Sequence, residues 1–203
     1  MDIGSMVITG YSKPYVAKYS ATGTTVTLSN PVRLARGVKV DVQPSSSDAT
    51  SWYADNVPSE SAPGKFTGGT ASFECDEPSA EVLKLIEGTP EEEEITVGGK
   101  KVKVTHYNSE QSIPYVAVGY IIRYQEAGVE YFKPFVLRKV QFTAPNDSAE
   151  TQGENITFQT KTLSANLFYD DSAKPCWKDS AERQATEAEA EAVLKVMLGG
   201  DAA

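Results

Sequence analysis

The 203-residue chain predicts a mainly β domain with one short flanking helix and one C-terminal helix. Three observations carry that reading. From Tyr115 to Phe168 the sequence is a succession of β-branched and aromatic runs: Tyr115–Tyr124, Val129–Leu137, Val140–Phe142 and, after a polar break, Thr151–Thr160. Such residues suit a pleated, half-buried surface. Short glycine-bearing breaks, Gln125-Glu-Ala-Gly128 and Gly98-Gly99, turn one run back on the next. Only two stretches, residues 79–87 and 186–198, carry helical periodicity.

Tyr15–Tyr19 and Thr25–Leu28 read as a first pair of short strands around Ala21-Thr-Gly23. Val38–Val42 alternates, placing Val38, Val40 and Val42 on a dry face and Lys39 and Asp41 on a wet one. Pro44–Lys65, rich in Ser, Pro and Gly, reads as a loop of roughly 20 residues, a length that usually carries function or disorder. A wholly disordered linker rarely spends two large aromatics, so Trp52-Tyr53 predicts a loop that becomes ordered against something. Phe66–Glu74 resumes as a strand, with Gly68-Gly69 weakening its start or marking a bulge. Ser79 caps a helix running to Glu87, with Val82, Leu83 and Ile86 on one face and Gly88 ending it. The acidic run Glu91–Glu94 falls in a loop or at a strand edge, before a hairpin of Ile95–Val97 and Lys101–Val104. Near the end, Thr186 and Glu189 have capping-box spacing and Gly199-Gly200 stop the helix. Ala190, Val193, Leu194 and Met197 form its stripe for docking on a sheet.

The length fits one domain over residues 6–203, with Met1–Ser5 reading as a cloning remnant ahead of Met6. A chain this size hides roughly 70% of its unfolded surface and needs no metal or disulfide to fold. Cys75 and Cys176 read as two buried reduced thiols, a disulfide between them being the alternative. The net charge of -9 disfavours tight binding to phosphate backbones. No window approaches the roughly 20 apolar residues that span a bilayer. The N-terminus lacks the basic and apolar regions of a secretion signal, so neither membrane insertion nor secretion is expected.

The sequence carries few residues arranged for chemistry. His106 is the single histidine, which excludes mechanisms that need two, and it reads as a strand-end or loop residue. There is no CxxC, HExxH, GxSxG or Walker pattern and no calcium-loop pattern. Glu91–Glu94 and Asp170-Asp171 read as solvated charge, and Trp52, Tyr53 and Trp177 as packing or interface residues. No catalytic, cofactor-binding or metal-binding residue is assigned. Neither enzymatic activity nor a cofactor is expected.

Several segments, taken in order, resemble a known family. They are Trp52-Tyr-Ala-Asp-Asn56, Phe66-Thr-Gly-Gly-Thr70, the helix 79–87, Pro114–Tyr120, Leu137–Phe142, Glu150–Thr160, Trp177 and Thr186–Ala190. No one of them is specific; the ordered set, spanning about Met6 to Leu198, resembles the major tail proteins of long-tailed, non-contractile bacteriophages and prophages. The resemblance implies two packed β-sheets in a sandwich or barrel-like tail tube fold, shared with the type VI secretion tube protein. It implies hexameric rings stacked into a hollow tube that passes DNA without binding it specifically. The implied partners are other copies of the chain, a tape-measure protein, a tail terminator and baseplate or tail-tip proteins. The implied location is the virion tail, after synthesis in the bacterial host cytoplasm. In that family the long loop after the early strands reaches a neighbouring ring, which makes Trp52, Tyr53, Asp55 and Asn56 the candidate inter-ring contacts. The match is weakest over Glu91–Lys103. Other readings are a carbohydrate-binding β-sandwich that stacks sugars on Trp52, Tyr53 or Trp177, a carboxylate-based hydrolase, and a type VI secretion-like tube.

Overall fold

The computed structural model describes residues 6–88, 91–108, 111–144, 147, 149, 151 and 159–201. Within them the order is β1 (Val7–Thr22), β2 (Thr25–Arg33), β3 (Gly37–Ser46), β4 (Thr50–Ala54), β5 (Val57–Ala62), β6 (Phe66–Cys75) and α1 (Ala80–Glu87). Then follow β7 (Glu91–Val97), β8 (Lys100–His106), β9 (Val116–Glu126), β10 (Val129–Phe142), β11 (Lys161–Phe168), β12 (Lys178–Ser180) and α2 (Glu187–Met197). The fold is mainly β. Met1–Ser5 and most of the predicted run Thr151–Thr160 lie outside the described residues.

The main sheet has the order β2-β1-β9-β10-β11-β6-β3, with β12 added along β10. The surfaces that pack together are two halves of this one sheet, which curls on itself. β6 and β9 are three places apart in the ladder, about 14 Å if the sheet were flat. Yet Phe73 of β6 and Tyr120 of β9 bring their ring centroids to 6.5 Å. The far edge nearly meets the near one: Tyr11 of β1 lies so close to Gly37 of β3 that a Cβ there would come within 2.3 Å of the ring. The result approaches a closed barrel, filled by Val16, Phe73, Val118, Leu137, Val140, Leu163 and Leu167, with Val82 and Ile86 of α1 joining the same core.

Outside the barrel, α2 covers a second apolar strip. Alternation along β9 sends Val116, Val118 and Tyr120 inward and leaves Ala117 and Ile121 on the outer face, where Ala190, Leu194 and Leu198 cover them. Gly119 sits between, and a Cβ there would come within 2.7 Å of Leu194 and 2.9 Å of Leu198. The first half of β9, Val116–Ile121, is therefore buried on both faces, which explains why that half carries no charged residue.

Both helices begin as their caps dictate. Ser79 Oγ accepts from the Val82 N–H at 3.4 Å, and Thr186 and Glu189 form a reciprocal capping box. α1 buries Val82 and Ile86 with Leu83 beside them, and α2 buries Ala190 and Leu194. The turn Ala127-Gly128 joins β9 to β10 with both residues at positive φ, as a two-residue hairpin requires.

Several expectations are corrected. β1 extends eight residues ahead of Tyr15, starting at Val7. Val38 is 56% exposed instead of sharing a face with Val40 and Val42, because the register shifts between Gly37 and Lys39 and the bulge turns it outward. Pro44–Lys65 is not a structureless loop: β3 continues to Ser46 and the remainder folds as the β4–β5 hairpin. Cys75 is buried, but Cys176 is only half-buried, and both are free thiols.

Candidate functional site

Four residues single out one piece of the molecule. Trp52, Tyr53, Asp55 and Asn56 all lie on the β4–β5 hairpin, which pairs with itself and adds to no other sheet. Asp55 and Asn56 are its two-residue turn, at φ 51 and 62. Asp and Asn tolerate this left-handed conformation better than most residues, so their place in the sequence is a turn signal as much as a contact signal.

Trp52 and Tyr53 are each 62% exposed. As neighbours in a strand they project from opposite faces, with Glu60 directly across from Trp52 and Pro58 across from Tyr53. The extra residue of the β-bulge, Ser59, falls on β5. Nearly every residue of both strands is exposed. A two-stranded hairpin with water on both sides is marginally stable at best.

Its root is well anchored. The Ser47 N–H donates to the Lys65 carbonyl at 2.8 Å, and the Lys65 N–H donates back to Ser47 Oγ at 3.0 Å. Next in the chain, Phe66 stacks on Trp177 at 4.8 Å and meets Tyr169 edge-on at 4.9 Å. Trp177 thereby serves as packing at the root of the hairpin, beside the main core.

The segment carrying Trp177 is pinned by an ionic network the sequence did not reveal. Asp170 is buried, which corrects its reading as solvated charge. It accepts from Arg138 Nε at 2.6 Å, Ser172 Oγ at 2.7 Å and the Cys176 N–H at 2.8 Å. Arg138 also donates to Asp179 at 2.8 Å. Burial alone would push the Asp170 carboxyl up, but bonds from Cys176, Ser172 and Arg138 hold it below the usual carboxylate range. Asp171, more exposed, pairs with Lys139 and accepts from the Tyr19 hydroxyl at 2.7 Å.

The remaining candidates do not converge. His106 ends β8, exposed, with Nε2 3.3 Å from Glu93. Glu92 and Glu94 pair with Lys103 and Lys101 across the β7–β8 hairpin, and Glu92 also pairs with Lys84 of α1. Among the described residues neither cysteine is hydrogen-bonded to His106. Among the described residues no three His, Cys, Asp or Glu side chains are placed to hold a metal, and no helix is long and apolar enough to cross a membrane. Compared with protein-family models and with curated proteins, the chain gives no match.

Proposed function

We propose that this protein is a structural subunit that assembles with copies of itself into a hollow tube of the phage-tail kind. The β4–β5 hairpin is the observation that carries this reading. It is anchored at its root and solvated on both faces, and it places Trp52 on one side and Tyr53 on the other. Large aromatics are the side chains that interfaces favour, and a neighbouring subunit would supply the surface that a lone hairpin lacks. The sheet's outer strands, β2 and β3, offer backbone edges that ring neighbours would pair or cover.

On this reading the mechanism is assembly. Six subunits close a ring, rings stack around a tape-measure protein between the tail tip and the terminator, and the finished tube conducts DNA. The net charge of -9 serves the last step, since an acidic wall repels phosphate instead of exchanging counterions with it. A sugar-stacking platform fits less well, because Trp52 and Tyr53 face opposite ways and cannot present one flat surface.

Negative-stain electron microscopy of concentrated protein, paired with its mass in solution, is the test. Rings or striated tubes with a central hole are expected, with or without added tail-tip proteins. A monomer under both conditions would refute the proposal.

A further inference from the structure

Two lysines are out of place in so acidic a chain. Lys133 of β10 and Lys178 of β12 are both half-buried. Their ammonium nitrogens lie 5.3 and 4.5 Å from the centre of the same ring, Phe135, and Lys178 is also 5.7 Å from Trp177. The other half-buried lysines, Lys13, Lys84, Lys139, Lys161 and Lys195, each have a carboxylate within ion-pair distance. Lys133 and Lys178 have none among the described residues; their contacts are to aromatic faces. Burial, and then the neighbouring charge of Lys133, push the Lys178 ammonium below the ordinary lysine range. Two like charges held over one ring, half out of water, are an unfinished ion pair: the attraction of an incoming carboxylate would offset both their repulsion and the penalty of their burial.

The chain carries the matching surface. On the β4–β5 hairpin Asp55 and Glu60 are exposed, and neither has a cation within ion-pair distance among the described residues. Glu60 shares a face with Trp52 as its cross-strand partner, so a carboxylate and a large aromatic project together. A subunit's own hairpin is badly placed to close the pair. Lys178 follows Trp177, which stacks on Phe66 at the hairpin root, whereas the Asp55-Asn56 turn projects roughly 25 Å from the Ser47–Lys65 clamp at about 3.3 Å per residue.

We propose that the Lys133–Phe135–Lys178 cluster is the receptor for the hairpin of a second copy of this chain. Its ammonium groups take the Glu60 and Asp55 carboxylates, and Trp52 lies against the lysine stems and Phe135. This deepens the self-assembly reading and rests on it, by naming where the hairpin docks.

The test uses the full chain, as an equal mixture of isotope-labelled and unlabelled copies at assembling concentration. A zero-length carbodiimide joins lysine amines to carboxylates in contact, and mass spectrometry locates the joins. Mixed-isotope links from Lys133 or Lys178 to Glu60 or Asp55 are expected. Links confined to single chains overturn the proposal, as does their absence while exposed lysines couple elsewhere. Tubes seen by microscopy without these links would sink the docking site and leave the tube standing; mixed links in a closed dimer that forms no tube would do the reverse. Charge reversal gives an independent check. Lys133→Glu/Lys178→Glu and Asp55→Lys/Glu60→Lys should each weaken association at least tenfold, and mixing the two variants should restore it. Association unchanged by the lysine reversal, or not restored by mixing, also overturns the proposal.

Discussion

Replacing Arg138 by Met tests whether the root of the hairpin is held by charge. The substitution keeps an apolar stem of similar reach but removes the cation from Asp170, whose side chain is fully enclosed, and from Asp179. Breaking one side of a buried pair costs about 3–5 kcal/mol. Asp170 keeps its donors from Ser172 and the Cys176 N–H, which places the expected loss near the lower end, about 3 kcal/mol. For a chain of this size that lowers the melting temperature by roughly 6–12 °C. Urea unfolding followed by tryptophan fluorescence reads the same loss as a shift of the midpoint. Adding Asp170→Asn should recover part of it, because the asparagine leaves no uncompensated charge while its oxygen still accepts from Ser172 and Cys176. A coupling of at least about 1 kcal/mol between the two substitutions is expected. A single-variant loss below about 1 kcal/mol, or strict additivity in the double variant, would refute the argument. The pH dependence has a definite sign. Asp170 is depressed in the folded chain, so its stabilisation is present above the unfolded carboxylate range and is lost as pH falls; Asp170→Asn should flatten that acid limb.

Two further outcomes follow from the same reasoning. Trp52→Ala and Tyr53→Ala remove exposed rings, so each should leave unfolding of the single chain within about 0.5 kcal/mol of the parent while reducing the ring or tube formation proposed above; a large loss of stability would show that the hairpin packs on its own chain. Burial opposes ionisation of Glu191, but bonds from Tyr15, Lys13 and Lys195 outweigh it and hold the carboxyl down to about 2. Its stabilisation of α2 is present above an unfolded value near 4.3 and lost as pH falls through about 2, so the protection of α2 amides against hydrogen exchange, taken relative to the intrinsic exchange rate at each pH, should fall over that window, and less so in Glu191→Gln.

Much of the fold is legible locally. Helix caps, two-residue turns and alternating runs are statements about neighbours in sequence, and Ser79, Thr186, Gly98-Gly99 and Ala127-Gly128 mark their elements where the structure has them. What the sequence hides is long-range. Curling of the sheet depends on how β3 meets β1, and nothing in Val38–Val42 announces the bulge that turns Val38 outward. Asp170-Asp171 looks like surface charge because its cation, Arg138, arrives from another strand. Lys133 and Lys178 become neighbours only through the pairing of β10 with β12. The hairpin aromatics were visible as residues without a local reason, although the Asp55-Asn56 turn that makes their segment a hairpin passed for loop composition.

The two-sided burial of β9 also sets a timetable for the nascent chain. Its inner face can be covered by strands made before and soon after it, but its outer face waits for α2. Glu187 follows Glu126 by 61 positions (187 minus 126), which at about 5–20 residues per second leaves roughly 3–12 seconds of synthesis. Once Val136 has been made, Ala117, Ile121, Phe132 and Val136 form an oily stripe with no cover of its own until α2 follows. A ribosome paused in this interval would display that stripe to chaperones and to other nascent copies alike. Synthesis rate upstream of α2 thus becomes a determinant of yield.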